Sequence, residues 1–292
     1  MFWSKEGDGS VRCLLCPHHC QINEKKGGFC GTRRLSSESV EEKQNKGREV
    51  TLVATGYGIV SSIALDPIEK KPLYMFHPGA QILSIGGYGC NLRCPFCQNH
   101  GISMSGIPEE AEFVPPDSVL SLALRTIPQG NIGVAYTYNE PFINYEYLMD
   151  CARLAHDAGL LNVVVTNGYI DREPLENALP LIDAMNIDLK GFTQGFYKGV
   201  SGTLDDVMDT ISVAHGRCHV EITTLVIPGE NEDDIRDLAK WLSSLNPDIP
   251  LHLSRFFPRH NYSDRAPTPR EAILRLRDVA RGYLNNVFMG NM

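Results

Sequence analysis

The run GGYGCNLRCPFCQN (residues 86–99) sets three cysteines, Cys90, Cys94 and Cys97, in one short loop. Their spacing lets three thiolates hold three corners of a four-iron, four-sulfur cube and leaves the fourth iron without a protein ligand. An iron left open in this way can bind a small molecule that brings an amine and a carboxylate. Gly86, Gly87 and Gly89 free the backbone to wrap closely around a bulky inorganic group, and Asn91 and Pro95 suit a turn. Phe96 offers an apolar face to shield the cluster or pack against a purine. Zinc is the competing occupant: it takes four ligands, and His100 is the nearest candidate for the fourth.

A second group stands upstream in CLLCPHHCQINEKKGGFCGTR (residues 13–33), which carries Cys13, Cys16, Cys20 and Cys30. Four thiolates make a closed site that satisfies either tetrahedral zinc or a second four-iron cluster. His18 and His19 lie between these ligands as bystanders, or as a substitute for one of them. Of the nine cysteines, only Cys151 and Cys218 stand apart, and both read as core packing. Such tight clustering argues for metal in a reducing compartment rather than for disulfides.

Composition narrows the class. The 292 residues are 42% hydrophobic and 21% charged, enough to bury a large core. The formal charge of -8 gives no broad attraction to nucleic-acid phosphate. No apolar run reaches membrane-spanning length, and MFWSKEGDGS at the start lacks the apolar stretch of a secretory signal. The expected address is the cytoplasm, under conditions that exclude oxygen.

From residue 81 onward, short apolar runs alternate with amphipathic stretches. QILSIGG, NIGVAYTY, LNVVVTNG, AMNIDLK, HVEITTLVI and IPLHLSRF read as six strands buried on both faces. PDSVLSLALRTI, EPFINYEYLMDCARLAHDAG, DREPLENALPLI, TLDDVMDTISVAHGR and NEDDIRDLAKWLSSL between them have helical spacing with acidic or proline starts. A last helix and a short strand, NVFMGNM, follow. This βα alternation predicts an α/β fold with a parallel sheet, and six units fall short of the eight of a closed barrel. Three parts are expected: a cysteine-rich metal-binding segment at 1–48, a hairpin with the loop DPIEKKPLY at 49–80, and a partial (β/α)6 barrel at 81–292. The polar stretch SSESVEEKQNKGRE reads as an exposed connection or hairpin tip. EVTLVATGYGIVSSIAL reads as a short antiparallel hairpin.

The cysteine loop with its preceding SSIALDPIEKKPLYMFHPGA and the following AYTYNEP, VVVTNGY, NIDLKGF, TTLVIPGENED and LHLSRFFP resembles the radical S-adenosylmethionine (SAM) superfamily. Within it the chain is similar to the radical protein of the AmmeMemoRadiSam group, a relative of the pyruvate formate-lyase activating enzymes. The resemblance runs from about Cys13 to the C-terminus. It implies a TIM-like partial barrel, a 4Fe-4S cluster on Cys90, Cys94 and Cys97, and SAM on the open iron. It further implies a radical SAM oxidoreductase in which one electron from the reduced cluster breaks SAM into methionine and a 5′-deoxyadenosyl radical. That radical abstracts hydrogen from a protein or peptide substrate, as in glycyl-radical activation; a small metabolite or a group transfer is the alternative. A flavodoxin or ferredoxin is the implied low-potential donor. A reading from another class is a non-enzymatic zinc module that mediates protein contacts.

Barrels of this type work at the C-terminal ends of their strands. Asn139 and Glu140 end the second strand, where the resemblance places a Gly-Gly-Glu-Pro motif, with Tyr138 and Asn139 here in place of the glycines. A carboxylate there accepts a hydrogen bond from the methionyl ammonium. Thr166 and Asn167 end the third strand; Asp188 and Lys190 end the fourth and match the DLK sequence with which the relatives contact SAM. Phe96 and His252, aligned with a last-strand histidine of the relatives, complete the expected SAM site. Asp66, Lys70, Lys71, Glu221 and Arg255 are candidates for catalysis or substrate binding.

Overall fold

The computed structural model describes residues 2–38 and 49–292. The six apolar runs read from the sequence all form strands and lie side by side. In chain order, β1 (Trp3–Lys5), β2 (Val11–Cys13) and β3 (Gln21–Ile22) make a small antiparallel sheet. Strands β4 (Arg33–Glu38) and β5 (Glu49–Ala54) pair antiparallel; the exposed connection expected between them falls largely on 39–48, outside the described residues. A short β6 (Ile59–Val60) precedes β7 (Ser62–Pro67), which runs antiparallel to β8 (Gln81–Gly86). The helix α1 (His100–Ser103) follows the cysteine loop, and β9 (Glu112–Phe113) returns to pair with β6.

After this entry the alternation is regular: α2 (Pro116–Arg125), β10 (Asn131–Tyr136), α3 (Tyr145–Asp157), β11 (Leu161–Thr166), α4 (Arg172–Ala178) and β12 (Ala184–Asp188). Then come α5 (Gln194–Gly199), α6 (Leu204–His215), β13 (His219–Val226), α7 (Ile235–Leu245), β14 (Leu251–Arg255), α8 (Arg270–Arg281) and β15 (Val287–Gly290). The large sheet has the order β15-β14-β13-β12-β11-β10-β8-β7, parallel throughout except for β7. Strands β7 and β15 are its two edges, so the barrel stays open.

The parallel strands are apolar on both faces because helices cover the outside and other groups fill the inside. On the outer side, α3 buries Leu148, Cys151, Ala152 and Ala155. The inner side has a filler that the expected hairpin-and-loop reading missed. Ile68 and Leu73, flanking Lys70 and Lys71, are fully buried against Ile82, Ala135, Val163 and Ala184 of β8, β10, β11 and β12. The segment after β7 therefore forms a floor inside the open barrel.

One expectation needs correction. The stretch 49–65 is not a hairpin with itself: β5 pairs back with β4, across the boundary expected at residue 48, and β7 joins the barrel sheet. Alternating hydrophobicity marks a strand but does not name its partner. Beside the six core strands, β15 is the short strand expected at NVFMGNM, and β7 lies at the other edge.

Candidate active site

The strand ends converge on a cavity of about 470 Å³, within the roughly 300–1,000 Å³ range of small-molecule sites. Cys90, Cys94 and Cys97 line it from the loop after β8. That loop is held open by local hydrogen bonds. Asn139, just beyond β10, accepts from Gly87 N at 3.0 Å and donates to Gly89 O at 3.0 Å. Gly89 has φ +88°, and a Cβ there would lie 2.5 Å from Cys30 O and 2.9 Å from Thr32 Cγ2, so only glycine fits. Burial pushes the Cys94 thiol up to about 11 despite nearby Lys190, and burial with Glu140 pushes Cys90 up as well. Bound iron would supply the positive charge that converts these thiols to ligands.

Glu140 is buried and lines the same cavity. Its carboxylate accepts from Phe142 N at 3.1 Å, from Thr166 Oγ1 at 2.8 Å and from Asn167 N at 2.8 Å. Burial outweighs these bonds and raises its pKa to about 7. A carboxylate has about four acceptor positions, so roughly one remains free toward the cavity. Glu140 thus caps the turn Pro141–Asn144, ties the ends of β10 and β11 together, and keeps capacity for a donor. Asn167 extends the tie: its Nδ2 donates to Asn91 Oδ1 at 2.9 Å and reaches Cys90 Sγ at 3.5 Å.

Across from them, Lys190 and Asp188 form an ion pair of 2.9 Å. Burial pushes the Lys190 ammonium pKa down, but Asp188 and Cys94 outweigh it and hold the group charged. Asp66 sits at the end of β7, bonded to Lys71 at 2.9 Å, to Lys70 at 3.0 Å and to the Tyr138 hydroxyl at 2.8 Å. Burial raises its pKa, yet these three donors win and keep it well below the usual carboxylate range. Lys71 is buried, lies 4.7 Å from the Tyr138 ring centroid, and lines the cavity with Lys70.

The cavity therefore gathers Phe96, Asn139, Glu140, Thr166, Asn167, Asp188 and Lys190, together with Lys70 and Lys71. It does not gather His252, Glu221 or Arg255. Glu221 is fully buried, and its two oxygens accept from His252 at 2.6 Å, His219 at 2.9 Å, Met75 N at 2.7 Å and Tyr74 N at 3.0 Å. Burial alone would raise its pKa; those four bonds pull it down to about 2. His252 packs between Tyr74 and Phe288, and Arg255 donates to Thr268 O at 2.5 Å. Glu221 and His252 share the inward strand face with the cavity-lining Thr223 and Ser254 but sit two residues deeper in the barrel, whereas Arg255, next after Ser254, falls on the opposite face. His100, the candidate fourth zinc ligand, instead stacks on His260 at 4.5 Å.

Among the lining residues that the sequence did not assign to the site, two matter chemically. Tyr138 has φ +72°, a left-handed conformation that costs a non-glycine residue about 1–2 kcal/mol. The signal was there, since Tyr138 stands where the resembled motif has glycine. The other is Thr223, whose Oγ1 is buried and finds no hydrogen-bond partner among the described residues; an unpaired buried hydroxyl costs about 1–3 kcal/mol unless a ligand satisfies it. Three thiols for iron, a charged pair for the amino-acid end of a ligand and a free hydroxyl fit a cluster with SAM. Among the described residues, no three Cys, His, Asp or Glu side chains converge on a single-ion site. No described helix is long and apolar enough to cross a membrane.

Comparison with known proteins bears on the same region. The radical SAM superfamily profile matches residues 84–242. An uncharacterized protein of Methanocaldococcus jannaschii is 40% identical over 100% of this chain and 84% of its own length. A protein of the same organism, named as a candidate glycyl-radical enzyme activating enzyme, is 26% identical over 68% of this chain and 85% of its own. A GTP 3′,8-cyclase of Rippkaea orientalis is 27% identical over 69% of this chain and 64% of its own. Among solved structures, Streptococcus suis SuiB bound to precursor peptide SuiA superposes with a TM-score of 0.53 at 15% identity. It covers 70% of this chain and 47% of SuiB, a likeness of fold alone.

Proposed function

Since the chain belongs to the radical SAM superfamily, and is therefore an enzyme of radical chemistry, we propose that it generates its radical in the cavity at the strand ends and spends it on a protein or peptide substrate. The observation that carries this reading is the juxtaposition in one cavity of Cys90, Cys94 and Cys97 with Asp188, Lys190 and Glu140. When bound, the 4Fe-4S cluster with SAM supplies an electron and a 5′-deoxyadenosyl radical. The chain's own groups do the rest. Cys90, Cys94 and Cys97 hold the iron, and Phe96 screens it from water. Lys190 takes the methionyl carboxylate by a charge-assisted bond, with Asp188 fixing its position. The acceptor position left on Glu140 receives the ammonium, and the Thr223 hydroxyl serves a polar edge of the nucleoside. Lys70, Lys71, Asp66 and Tyr138 form the wall opposite and contact the substrate.

The named activating relative supports a protein substrate; the cyclase relative favours the second reading, a small metabolite. The test is an anaerobic assay for 5′-deoxyadenosine with dithionite as reductant. Cys90→Ala, Cys94→Ala and Cys97→Ala are each expected to abolish its formation, and cleavage retained in those variants would sink the radical assignment. Transfer of deuterium into 5′-deoxyadenosine from labelled protein fractions, and not from labelled small molecules, is the expected mark of a protein substrate.

A further inference from the structure

The four N-terminal thiols are the chemistry-bearing group that this reading leaves unused. Cys13 and Cys30 are buried, Cys16 and Cys20 are half-buried, and all four are free of disulfides. They share one locality: Cys13 N donates to Cys20 O at 3.0 Å, His19 N, next to Cys20, donates to Cys16 O at 3.0 Å, and Phe29 N, next to Cys30, donates to Cys20 Sγ at 3.4 Å. They do not converge on a single-ion site, and neither do Cys90, Cys94 and Cys97. A cube that takes each sulfur at a different corner suits that disposition, whereas zinc gathers four sulfurs at about 2.3 Å from one centre.

This locality is built onto the catalytic cysteine loop. His18 Nε2 is hydrogen-bonded to Asn91 O at 2.7 Å. Phe29 O accepts from Arg93, whose guanidinium lies 4.2 Å from the Phe29 ring centroid and donates to Cys90 O at 2.7 Å. Gly89 abuts the Cys30 carbonyl. Asn91 joins the two cysteine groups: its carbonyl is the one bonded to His18, its side chain donates to Tyr169 O at 2.6 Å and accepts from Asn167 at 2.9 Å, and its chain neighbour is Cys90. From Cys16 along the chain to His18, and from Asn91 to Cys90, the route consists of one hydrogen bond and covalent bonds.

We propose that Cys13, Cys16, Cys20 and Cys30 hold a second four-iron, four-sulfur cluster, the entry point for electrons that reach the catalytic cluster through Asn91. The proposal rests on the radical reading above. One electron leaves a reduced low-potential donor protein of the flavodoxin or ferredoxin class and lowers the N-terminal cluster by one oxidation level. It then moves on, returning that cluster to its starting state and reducing the cluster on Cys90, Cys94 and Cys97 by one. No bond or proton changes in this transfer.

The test uses the anaerobically reconstituted full chain, assayed for iron, zinc and sulfide and by electron paramagnetic resonance after reduction. Wild type is expected to carry about eight irons. The Cys16→Ala/Cys20→Ala double variant should carry about four and keep a signal that shifts when SAM is added, and Cys94→Ala about four with a signal that ignores SAM. Dithionite should reduce the double variant's remaining cluster as fast as in wild type, and reduced flavodoxin at least about tenfold more slowly. Should the double variant misfold, His18→Ala keeps all four thiols and is expected to retain full iron while slowing reduction by flavodoxin. One zinc with about four irons in wild type, or equal flavodoxin rates in wild type and His18→Ala, would overturn the proposal. Dithionite-driven SAM cleavage by wild type is scored separately: its absence would count against the radical reading, while iron content still decides this one.

Discussion

The two ends of the open barrel use charge in opposite ways. At the strand C-termini, Asp188 and Lys190 pair with each other but face the cavity, and the Thr223 hydroxyl there has no partner among the described residues. On the floor, Glu221 meets His219, His252 and two backbone amides, so its carboxylate has no capacity left. The first arrangement is poised for a ligand; the second holds the 68–76 segment inside the barrel. A charge in a strand thus shows that something must be satisfied there, and only its remaining valence tells whether that something is a ligand or the protein itself.

The largest expected effect breaks the floor. Glu221→Gln turns an acceptor of four donors into a group that must donate as well, and should destabilise the fold by about 3 kcal/mol. Chemical denaturation measures this, while SAM cleavage per folded molecule stays unchanged; a loss of cleavage at full folding would move Glu221 to the active end. The same residue predicts an acid limb. Its folded-state pKa of about 2 lies below the ordinary 4.5, so the stability it contributes is complete above the unfolded value and fades as pH falls from 4.5 toward 2. The Gln variant should show a flatter stability profile across that window.

A middle effect is expected at the cavity. Lys190→Ala removes a charge-assisted contact of roughly 1.5–3 kcal/mol, and should weaken SAM binding about 10- to 100-fold with little change in stability; equilibrium binding to the reconstituted protein reads it. If stability fell instead and binding held, Lys190 would be a floor-type residue in the wrong place. The smallest effect belongs to Tyr138→Phe, which deletes one hydrogen bond to Asp66 and should cost about 1 kcal/mol, visible as a small shift in substrate affinity rather than in SAM affinity.

Most of the helices and all six core strands were legible because their apolar spacing follows directly from burial on one stripe or on both faces. Pairing was less so. The run around Ser62 was rightly a strand, but its partner, β8, lies beyond the plugging loop, and nothing in a period-two pattern encodes that separation. Cys90, Cys94, Cys97, Glu140, Asp188 and Lys190 were expected at or just beyond strand ends, and they line one cavity. His252 and Glu221 could not, because the two-residue period of a strand places a side chain on a face but not at a depth along the barrel.

The sequence by itself determined the α/β alternation, the three-thiol loop with its glycines and the separate four-thiol segment, since residue chemistry and spacing alone carry those. Tertiary structure decided which charges remain free to meet a ligand, the floor made by Ile68 and Leu73, the strained Tyr138, and the seating of the N-terminal cysteines on the Cys90 loop. Each of those depends on distances between residues far apart in the chain, which close only when the hydrophobic core brings the strand ends together.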